Sequence, residues 1–356
     1  MRILTVLGAR PQFVKAAVVS RAFARYPEVQ EKIIHTGQHH DANMSDVFFE
    51  EMEIPRPAFH LGIHGLGHGA MTGQMLEKLE QVFLNEKPDA VLVYGDTNST
   101  LAGALAACKL HIPVAHVEAG LRSFNMRMPE EVNRILTDRV SRWLFCPTQT
   151  AVDNLSKEGY PFSGMQLHLS GDVMQDAALF YAQRSAEKSD VVKRLGLDTF
   201  VLCTIHRAEN TDDLNRLRNI ADALAEIHRD TPVVCPLHPR TRKLAAEKGV
   251  NLPFTVIDPV GYFDMIELLK HCKAVVTDSG GLQKEAYFFS KPCITLRDET
   301  EWTELIDAGC NRLAGAGREK ILNCWSTLAQ QKADFESRLY GDGHAAEKIV
   351  DTLLQR

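Results

Sequence analysis

The most constraining feature of this sequence is the alternation of short apolar segments with amphipathic segments along almost its whole length. Strands that are apolar on both faces and are separated by helices are typical of parallel α/β sheets. The segments between them, such as 214–228, have the periodicity of amphipathic helices. The apolar segments predicted to be strands are residues 3–7, 32–35, 90–94, 114–117, 143–146, 200–205, 233–236, 254–257, 274–277 and 293–296.

These strands fall into two series, which predicts two Rossmann-like α/β domains that face a central cleft. A chain of 356 residues is long enough to form two cores. The pattern loosens between residues 164 and 172, so we predict a first domain of residues 1–167 and a second of residues 168–343. Residues 344–356 are predicted to form a final helix, and its pattern alone allows it to pack on either domain.

Composition excludes several classes of partner. Charged residues make up 24% of the chain, the net charge is −6, and like charges form no block, so we expect neither a nucleic-acid partner nor a membrane surface. The apolar segment 3–7 is shorter than the core of a signal peptide, which predicts a cytoplasmic protein. The eight cysteines contain no C-x-x-C pair, which indicates reduced thiols.

Polar residues follow six of the predicted strands. Helix caps or surface turns could explain any one of these strand ends. Ligands of open parallel sheets, however, bind beyond the carboxyl ends of the strands, so the six ends together predict a ligand cleft. The segments concerned are residues 8–12, 95–98, 118–120, 206–210, 238–240 and 278–281.

One of these segments predicts a phosphate compound as the ligand. Residues 278–281 (DSGG) lie between an apolar strand and a predicted helix, where free backbone N–H groups attract anions. An ordinary N-cap with glycines in the turn is the alternative. Arg10 and Lys15 are spaced to share one face of a helix after the first strand, which favours the anion site.

Several familiar cofactor motifs are missing from the sequence. No G-x-G-x-x-G follows the first strand and no G-K-[ST] is present, so neither a dinucleotide nor a P-loop nucleotide is expected. His64 and His68 have the spacing of zinc ligands on a helix, but the glycines between them favour a loop. We therefore predict no cofactor and no metal site.

With these residues in view, the sequence resembles the non-hydrolysing UDP-N-acetylglucosamine 2-epimerase family. The resemblance runs nearly from end to end, and it implies a glycosyltransferase-B-like fold whose last helix crosses back to the first domain. The motifs that carry it are residues 8–15 (GARPQFVK), 38–39 (QH), 95–97 (GDT), 116–122 (HVEAGLR), 129–134 (PEEVNR), 206–210 (HRAEN), 277–281 (TDSGG) and 340–343 (YGDG).

The resemblance also implies a reaction. Carbon 2 of the sugar has no neighbouring carbonyl, so direct removal of its proton would leave an unstabilised carbanion. Elimination of UDP across carbons 1 and 2 gives a 2-acetamidoglycal, and re-addition with a proton on the opposite face inverts carbon 2. This route needs acid and base groups and cations around UDP, but no redox cofactor or metal.

Roles for individual residues follow from the same resemblance. The catalytic set consists of carboxylates that transfer protons and an imidazole beside the phosphates, namely Asp96, Glu118, Glu130 and His206. The residues expected to bind UDP are Arg10, Lys15, His238, Ser279, Gly280, Gly281 and Glu285. Those expected on the sugar side are Gln38, His39, Arg127 and Arg134. For Glu130 and Glu131 the alternative is a capping pair at a helix start, which we prefer for Glu131, and for Arg127 it is a surface arginine.

Departures from the usual family pattern indicate a subgroup. Ala9 and Gln12 stand where the family has Thr and Glu, residues 300–304 (TEWTE) replace T-E-R-P-E, and Ala208 replaces an arginine. These features resemble enzymes that act on UDP-2,3-diacetamido-2,3-dideoxy-glucuronic acid and make a manno sugar for lipopolysaccharide O-antigen. A UDP-N-acetylglucosamine 2-epimerase is the first alternative, and a glycosyltransferase is a more distant one. The expected partners are a UDP-sugar and a second copy of the chain.

Overall fold

Two parallel β-sheets form the framework. They are seen in a computed structural model that describes residues 1–38, 52–330 and 333–355, with Arg10 and Ala329 as backbone only. Within those ranges the first sheet has the order β3-β2-β1-β4-β5-β6-β7, and the second has the order β10-β9-β8-β11-β12-β13. The strands are β1 Arg2–Leu7, β2 Gln30–His35, β3 Phe59–His60, β4 Ala90–Tyr94, β5 Val114–Val117, β6 Trp143–Cys146, β7 Gln166–Leu169, β8 Val201–Thr204, β9 Val233–Pro236, β10 Thr255–Ile257, β11 Ala274–Thr277, β12 Cys293–Thr295 and β13 Asn311–Leu313.

Within the described ranges, helices lie between β1 and β2 and between all successive strands from β3 onwards, as parallel pairing requires. They are α1 Arg10–Phe23, α2 His68–Glu86, α3 Asn98–Lys109, α4 Pro129–Val140, α5 Gln149–Lys157, α6 Val173–Lys188, α7 Val191–Arg194, α8 Ala208–Thr211, α9 Leu214–Asp230, α10 Pro239–Glu247, α11 Tyr262–His271, α12 Gly280–Phe288, α13 Thr303–Asp307, α14 Arg318–Ser326 and α15 Ala345–Gln355. None of the helices in the described ranges is long and apolar enough to cross a membrane.

The strand order reverses once in each sheet. In the first sheet β1 pairs with both β2 and β4, and in the second β8 pairs with both β9 and β11. A crevice opens between the loops that leave the two strands at such a reversal, and ligands of open α/β sheets bind there. The loops after β1, β4, β8 and β11 contain most of the residues singled out in the sequence.

The chain divides into two compact units, and the boundary differs from the predicted one. The first unit comprises residues 1–177 and 339–356, and the second comprises residues 178–338. The predicted boundary after residue 167 falls inside β7, which pairs with β6 and so belongs to the first sheet. The loosened pattern at residues 164–172 is therefore an edge strand and its turns, and the boundary lies later, within α6.

The last helix, α15, packs on the first unit, as the resemblance implied. Its buried face, which includes Ile349, Val350 and Leu353, lies against α1. The hydroxyl of Tyr26 donates to Asp351 at 2.6 Å, and the backbone N–H of Ala346 donates to Asp176 at 2.7 Å. The predicted fold class, two Rossmann-like domains with a returning C-terminal helix, is confirmed for the architecture of each unit.

Close packing fixes the helix that follows β4. Gly103 of α3 lies directly over β1 and β4, where an added Cβ would come 3.1 Å from Val93 and 3.3 Å from Val6. A side chain at this position would require its neighbours on the sheet to shift, because the core is closely packed. The N-terminal end of α3, which directly follows the loop after β4, is therefore held in one place on the sheet.

Candidate active site

Gln12 joins the loop after β1 to the loop after β4. It is buried, and its Oε1 accepts hydrogen bonds from the backbone N–H groups of Gly8 and Ala9 at 2.8 and 3.0 Å. Its Nε2 donates to the carbonyl of Tyr94 at 2.8 Å and to Oγ1 of Thr97 at 3.0 Å. An amide can both accept and donate in this way, whereas a glutamate at this position could only accept when ionised. This departure from the family pattern therefore has a structural role.

Lys15 and Glu118 form a nearly buried ion pair at the carboxyl end of the first sheet. The Nζ of Lys15, from α1, contacts Oε2 of Glu118, which directly follows β5. Their side chains are 10% and 9% exposed. Glu118 has a φ of 74°, an unusual conformation for a residue with a side chain, and such strain is often found at functional sites. A predicted phosphate ligand and a predicted acid–base carboxylate thus lie in direct contact.

Asp96 forms a second ion pair at the same edge. Arg134 of α4 donates through Nη2 to Asp96 and through Nη1 to Glu131 at 2.8 Å. Glu131 is buried and accepts three hydrogen bonds of 2.9 Å, from N and Oγ of Ser123 and from N of Phe124. Glu131 therefore has a structural role, but it holds the loop before α4 and does not cap the start of that helix as we preferred from the sequence.

Two amide side chains complete this part of the site. Asn133 donates to the carbonyl of Asp96 at 2.9 Å and to Oδ1 of Asn98 at 3.2 Å. Oε1 of Gln38 accepts from N and Oγ of Ser99 at 3.0 and 2.7 Å. Gln38, which was predicted on the sugar side, is thus anchored at the start of α3. That helix begins shortly after Asp96 in the sequence.

Four other predicted residues of the first unit have less defined places. Glu130, at the start of α4, and Arg127, in the loop before it, are both exposed. Arg10 lies at the start of α1, but its side chain is outside what the structure describes, and His39 lies outside the described residues. The roles of these four residues stay predictions.

In the second unit, His206 is oriented by a buried carboxylate. Asp278, which follows β11, is 0% exposed, and its Oδ1 lies 2.9 Å from Nδ1 of His206. It also accepts from the backbone N–H groups of His206 and Arg207 at 3.1 Å and from Nδ2 of Asn210 at 3.2 Å. Burial acts to raise the pKa of Asp278, but the hydrogen bond and charge of His206 and the N–H of Arg207 outweigh it and lower this pKa.

This arrangement leaves the far side of the His206 ring available. The side chain of His206 is 54% exposed although its Nδ1 is held by Asp278. A carboxylate on Nδ1 fixes the tautomer and the ring orientation, so Nε2 is the nitrogen that can meet a ligand. This geometry suits the predicted position of His206 beside phosphates.

The predicted phosphate site begins α12. Ser279 is the N-cap, and its Oγ accepts from N of Leu282 at 3.4 Å. The next two residues are Gly280 and Gly281, whose N–H groups belong to the unsatisfied first turn. An added Cβ on Gly280 would lie 2.7 Å from Oε1 of Glu301, whereas one on Gly281 would meet nothing within 4 Å. Gly280 is therefore required by Glu301, which lies against the start of α12.

A buried ion pair keeps Glu301 in that position. Arg297, which is 2% exposed, donates to Oε2 of Glu301 at 2.8 Å. Burial acts to raise the pKa of Glu301, but the charge of Arg297 outweighs it and the pKa lies below its ordinary value. Beside this pair, Nζ of Lys284 lies 4.1 Å from the centre of the Trp302 ring, a cation–π distance. Glu301, which keeps the family residue, thus supports the start of α12, and the departure at Trp302 packs against Lys284 of the same helix.

The remaining predicted UDP ligands, Glu285 and His238, differ in burial. Glu285 of α12 is buried near Tyr262, and burial followed by the charge of Glu285 raises the pKa of that tyrosine well above its ordinary value. His238 is the exposed N-cap of α10, and its Nδ1 accepts from N of Arg240 at 3.2 Å. Both lie after strands of the second sheet, within the second unit.

Sequence reasoning missed several residues that hold the site together. Asp278 was noted only as part of a helix start, although a carboxylate directly after an apolar strand is a signal for a buried anchor. Gln12 was noted only as a departure from the family pattern, and Glu301 only as an unchanged residue next to one. Their partners are distant in sequence, so no local pattern identifies them.

Two further features lie outside the predicted set. Among the described residues, no three His, Cys, Asp or Glu side chains are placed to hold a metal ion. His68 begins α2, and its Nδ1 lies 3.1 Å from Nδ2 of Asn98. A cavity of about 630 Å³ in the second unit is lined by Arg216, Asp298 and Lys320 among others, and none of the predicted site residues is among its lining residues.

Comparison with known proteins places the chain in a family. Residues 21–354 match the family model for UDP-N-acetylglucosamine 2-epimerase. The UDP-2,3-diacetamido-2,3-dideoxy-D-glucuronate 2-epimerase of Pseudomonas aeruginosa is 56% identical over 354 residues, which cover 99% of each chain. The UDP-N-acetylglucosamine 2-epimerase of Methanocaldococcus jannaschii is 41% identical over 366 residues, which cover 99% of each chain.

Solved structures agree with these matches. The crystal structure of the M. jannaschii enzyme in complex with UDP-GlcNAc and UDP is similar with a TM-score of 0.91, over 100% of both chains. The Neisseria meningitidis enzyme bound to UDP-GlcNAc is 30% identical, with a TM-score of 0.89 over 100% of both chains. The chain therefore belongs to the UDP-N-acetylglucosamine 2-epimerase family and is an enzyme of the isomerase class.

Proposed function

We propose that this epimerase inverts carbon 2 of UDP-2,3-diacetamido-2,3-dideoxy-D-glucuronate to give the manno epimer. The observation that carries the proposal is the 56% identity, over 99% of both chains, to the Pseudomonas relative named for that substrate. The M. jannaschii relative named for UDP-N-acetylglucosamine shares 41% over the same coverage. The departure at Gln12, which contacts the loops after β1 and β4, and the departure at Trp302, which packs against Lys284 of α12, point the same way.

The proposed route is an anti elimination followed by re-addition. A base removes the proton of carbon 2 while the bond from carbon 1 to the β-phosphate oxygen breaks. The electron pair of the C–H bond forms the carbon 1–carbon 2 double bond, and UDP leaves with the pair of the C–O bond. A proton then adds to the opposite face of carbon 2 as UDP returns to carbon 1. This sequence is redox-neutral and balances without a metal.

The first unit is proposed to handle the protons. Asp96, Glu118 and Glu130 are the proposed acid–base carboxylates, and the first two are each paired with a cation. The pairing holds each carboxylate in one orientation, which proton transfer requires. Lys15 lies beside Glu118, so its ammonium group can also meet the phosphate that leaves from the neighbouring carbon.

The second unit is proposed to hold the UDP anion while the glycal exists. Gly280 and Gly281 offer the N–H groups of the first turn of α12, Ser279 offers its hydroxyl, and His206 offers Nε2. We propose Glu285 for the ribose hydroxyls and His238 for the uracil border. Arg10 is proposed to add a further cation.

The carboxylate on carbon 6 distinguishes the proposed substrate. It calls for a nearby cation, and Arg127, which is exposed on the loop before α4, is our candidate. The Arg127→Ala variant is expected to lose uronate turnover by about 1.5–3 kcal/mol, the contribution of a charge-assisted hydrogen bond. An unchanged rate would leave Arg127 as a surface arginine.

The manno product is proposed to supply the synthesis of lipopolysaccharide O-antigen. We propose that the enzyme itself is a cytoplasmic homodimer.

A second candidate substrate is UDP-N-acetylglucosamine. It is favoured by a 48% identical relative from Methanococcus maripaludis that is named a UDP-N-acetylglucosamine 2-epimerase homolog. A glycosyltransferase would need an acceptor and would not convert a UDP-sugar alone.

One experiment separates these possibilities. The purified enzyme is incubated in D2O with each UDP-sugar alone, and the anomeric and carbon 2 signals are followed by proton NMR. We expect a second UDP-sugar, deuterated at carbon 2, to form mainly from the diacetamido uronate. Equal or faster conversion of UDP-N-acetylglucosamine would overturn the substrate and keep the epimerase. Product without deuterium at carbon 2 would overturn the elimination route.

A further inference from the structure

His116 lies in the middle of β5 with an acceptor at each ring nitrogen. It is 0% exposed. Its Nδ1 is 2.7 Å from Oδ1 of Asp138 on α4, and its Nε2 is 2.8 Å from the carbonyl oxygen of Gly95. A carboxylate and a carbonyl both lack a proton to give. A neutral imidazole has only one N–H, so these two contacts require a second proton shared between the ring and Asp138.

The charged side chains around His116 are all paired. The other oxygen of Asp138 accepts from Nη1 of Arg122 at 2.7 Å and from N of Gly120 at 3.2 Å. Arg122 in turn donates to both oxygens of Glu158, at 2.7 and 2.9 Å. Cation and anion therefore alternate from His116 outwards to Glu158, which is 34% exposed. Buried charges are tolerated when they are paired and hydrogen-bonded in this way.

The hydrogen bond between His116 and Gly95 connects the buried ring to the candidate active site. Gly95 directly follows β4 with a φ of 62°, and its N–H donates to the carbonyl of Val117 at 3.0 Å. Its carbonyl belongs to the peptide group that continues into Asp96. A peptide group is planar, so fixing its oxygen fixes the plane from which Asp96 departs. An added Cβ on Gly95 would lie 3.2 Å from Oε2 of Glu118, so this peptide also borders the second carboxylate.

We propose that His116 is a positioning residue of the reaction: its Nε2–H fixes the Gly95–Asp96 peptide and thereby sets the Asp96 carboxylate relative to Glu118. The inference rests on the proposed function, because it assumes that Asp96 and Glu118 transfer protons. His116 does not touch the substrate, since it is fully buried beneath the loop. Glu118 follows the end of the same strand, two residues after His116, so one side chain connects the ends of β4 and β5.

A matched pair of substitutions isolates the Gly95 contact. In His116→Gln the amide nitrogen reaches about as far as Nε2 and can still donate to Gly95, whereas in His116→Asn it reaches only as far as Nδ1. We expect His116→Asn to lower kcat about a hundredfold, the cost of a small misplacement of a reacting group, with KM nearly unchanged. We expect His116→Gln to keep clearly more of the wild-type kcat.

A purely structural role gives a different result. Misfolding would lower the fraction of chains that bind UDP, so turnover is expressed per UDP site counted by calorimetric titration. Equal per-site kcat in the Asn and Gln variants, or a wild-type kcat in His116→Asn, would overturn the proposal.

A measurement on the unmodified chain covers the case in which neither variant folds. With 15N-labelled histidine, NMR should show one slowly exchanging ring with a proton on Nε2. A His116 ring whose Nε2 carries no proton would overturn the proposed contact with Gly95. If the unmodified enzyme converts neither UDP-sugar, the proposed function fails, whereas this NMR result still tests the ring geometry separately.

Discussion

The carboxyl ends of the two sheets make an instructive comparison, because the same strand order supports two different kinds of polar surface. In the first unit the loops after β4 and β5 carry Asp96 and Glu118, each held by a cation from a helix. In the second unit the loop after β11 carries one fully buried carboxylate, Asp278, which holds His206 and backbone N–H groups in place.

The difference shows that similar parallel sheets can serve two different chemical tasks. What differs is whether the loops at the carboxyl end present side-chain carboxylates or backbone N–H groups. Side-chain carboxylates can gain and lose protons, so the first surface suits acid–base chemistry. Backbone N–H groups at a helix start have a fixed partial charge and no proton to exchange at neutral pH, so the second surface suits an anion. On the proposed function, protons move at the first unit and UDP is retained at the second.

The largest expected effect tests the first surface. Glu118→Gln removes a proposed acid–base group and leaves its shape, so we expect kcat to fall by about a thousandfold while UDP still binds. The matched control is Glu86→Gln, which breaks a surface pair with Lys32 and should leave kcat unchanged. Turnover is measured by NMR and UDP affinity by calorimetry. Near-normal turnover of Glu118→Gln would remove this residue from the mechanism and break the comparison.

The next effect tests the second surface. Asp278→Asn replaces a buried acceptor of several hydrogen bonds, so His206 and the following N–H groups lose their anchor. Hydrogen bonds to charged groups contribute about 1.5–3 kcal/mol, so we expect UDP affinity to weaken at least tenfold. Asp190→Asn, at an exposed position of the same unit, is the control and should bind UDP normally. Unchanged affinity in Asp278→Asn would mean that the anion is held elsewhere.

Acid should reduce the difference in stability between the wild type and Asp278→Asn. The pKa of Asp278 is lower in the folded chain than its ordinary value, so ionised Asp278 stabilises the fold above the unfolded-state pKa. That contribution is lost as the pH falls through the folded-state pKa, below about pH 4. Urea unfolding of both proteins from pH 7 to pH 3.5 measures the difference in the free energy of unfolding. A difference that grows in acid would contradict the role of Asp278 as an ionised anchor.

The smallest expected effect separates the two glycines at the start of α12. Gly280→Ala should destabilise the unliganded enzyme by about 1 kcal/mol or more, because its Cβ would strike Glu301. Gly281→Ala meets open space and should be neutral or stabilising, since alanine favours a helix. If a phosphate of UDP binds at this helix start, Gly281→Ala should still weaken the binding of UDP. Thermal unfolding measures the stability of each variant, and UDP titration measures its affinity. A stable Gly281→Ala variant that binds UDP normally would mean that the phosphate binds elsewhere.

Much of the fold could be predicted because central parallel strands are continuously apolar. All ten predicted strands are present, with bounds that shift by a few residues. Three strands were missed, namely β3, β7 and β13, and all lie at sheet edges. An edge strand is buried on fewer sides, so its sequence needs no apolar run; β7, for example, has exposed or half-buried side chains throughout. Missing β7 also displaced the predicted domain boundary.

The site was harder to predict from the sequence than the fold. Residues after strands were easy to nominate, because every parallel sheet presents its loops at one edge. What each residue contacts depends on partners far along the chain. Glu118 lies 103 residues from Lys15, and Asp278 lies 72 residues from His206. No local period records such pairs, so the anchoring roles of Gln12, Asp278 and Glu301 emerged only from the structure.

The return of α15 to the first unit has a consequence for the order of synthesis. Domains usually fold as they leave the ribosome, with the N-terminal one first. Here residues 178–338 form the second unit from one continuous stretch, whereas the first unit needs residues 339–356 to cover α1. The unit whose translation begins first is therefore completed last. Until α15 has been synthesised, the face of α1 that it covers stays exposed.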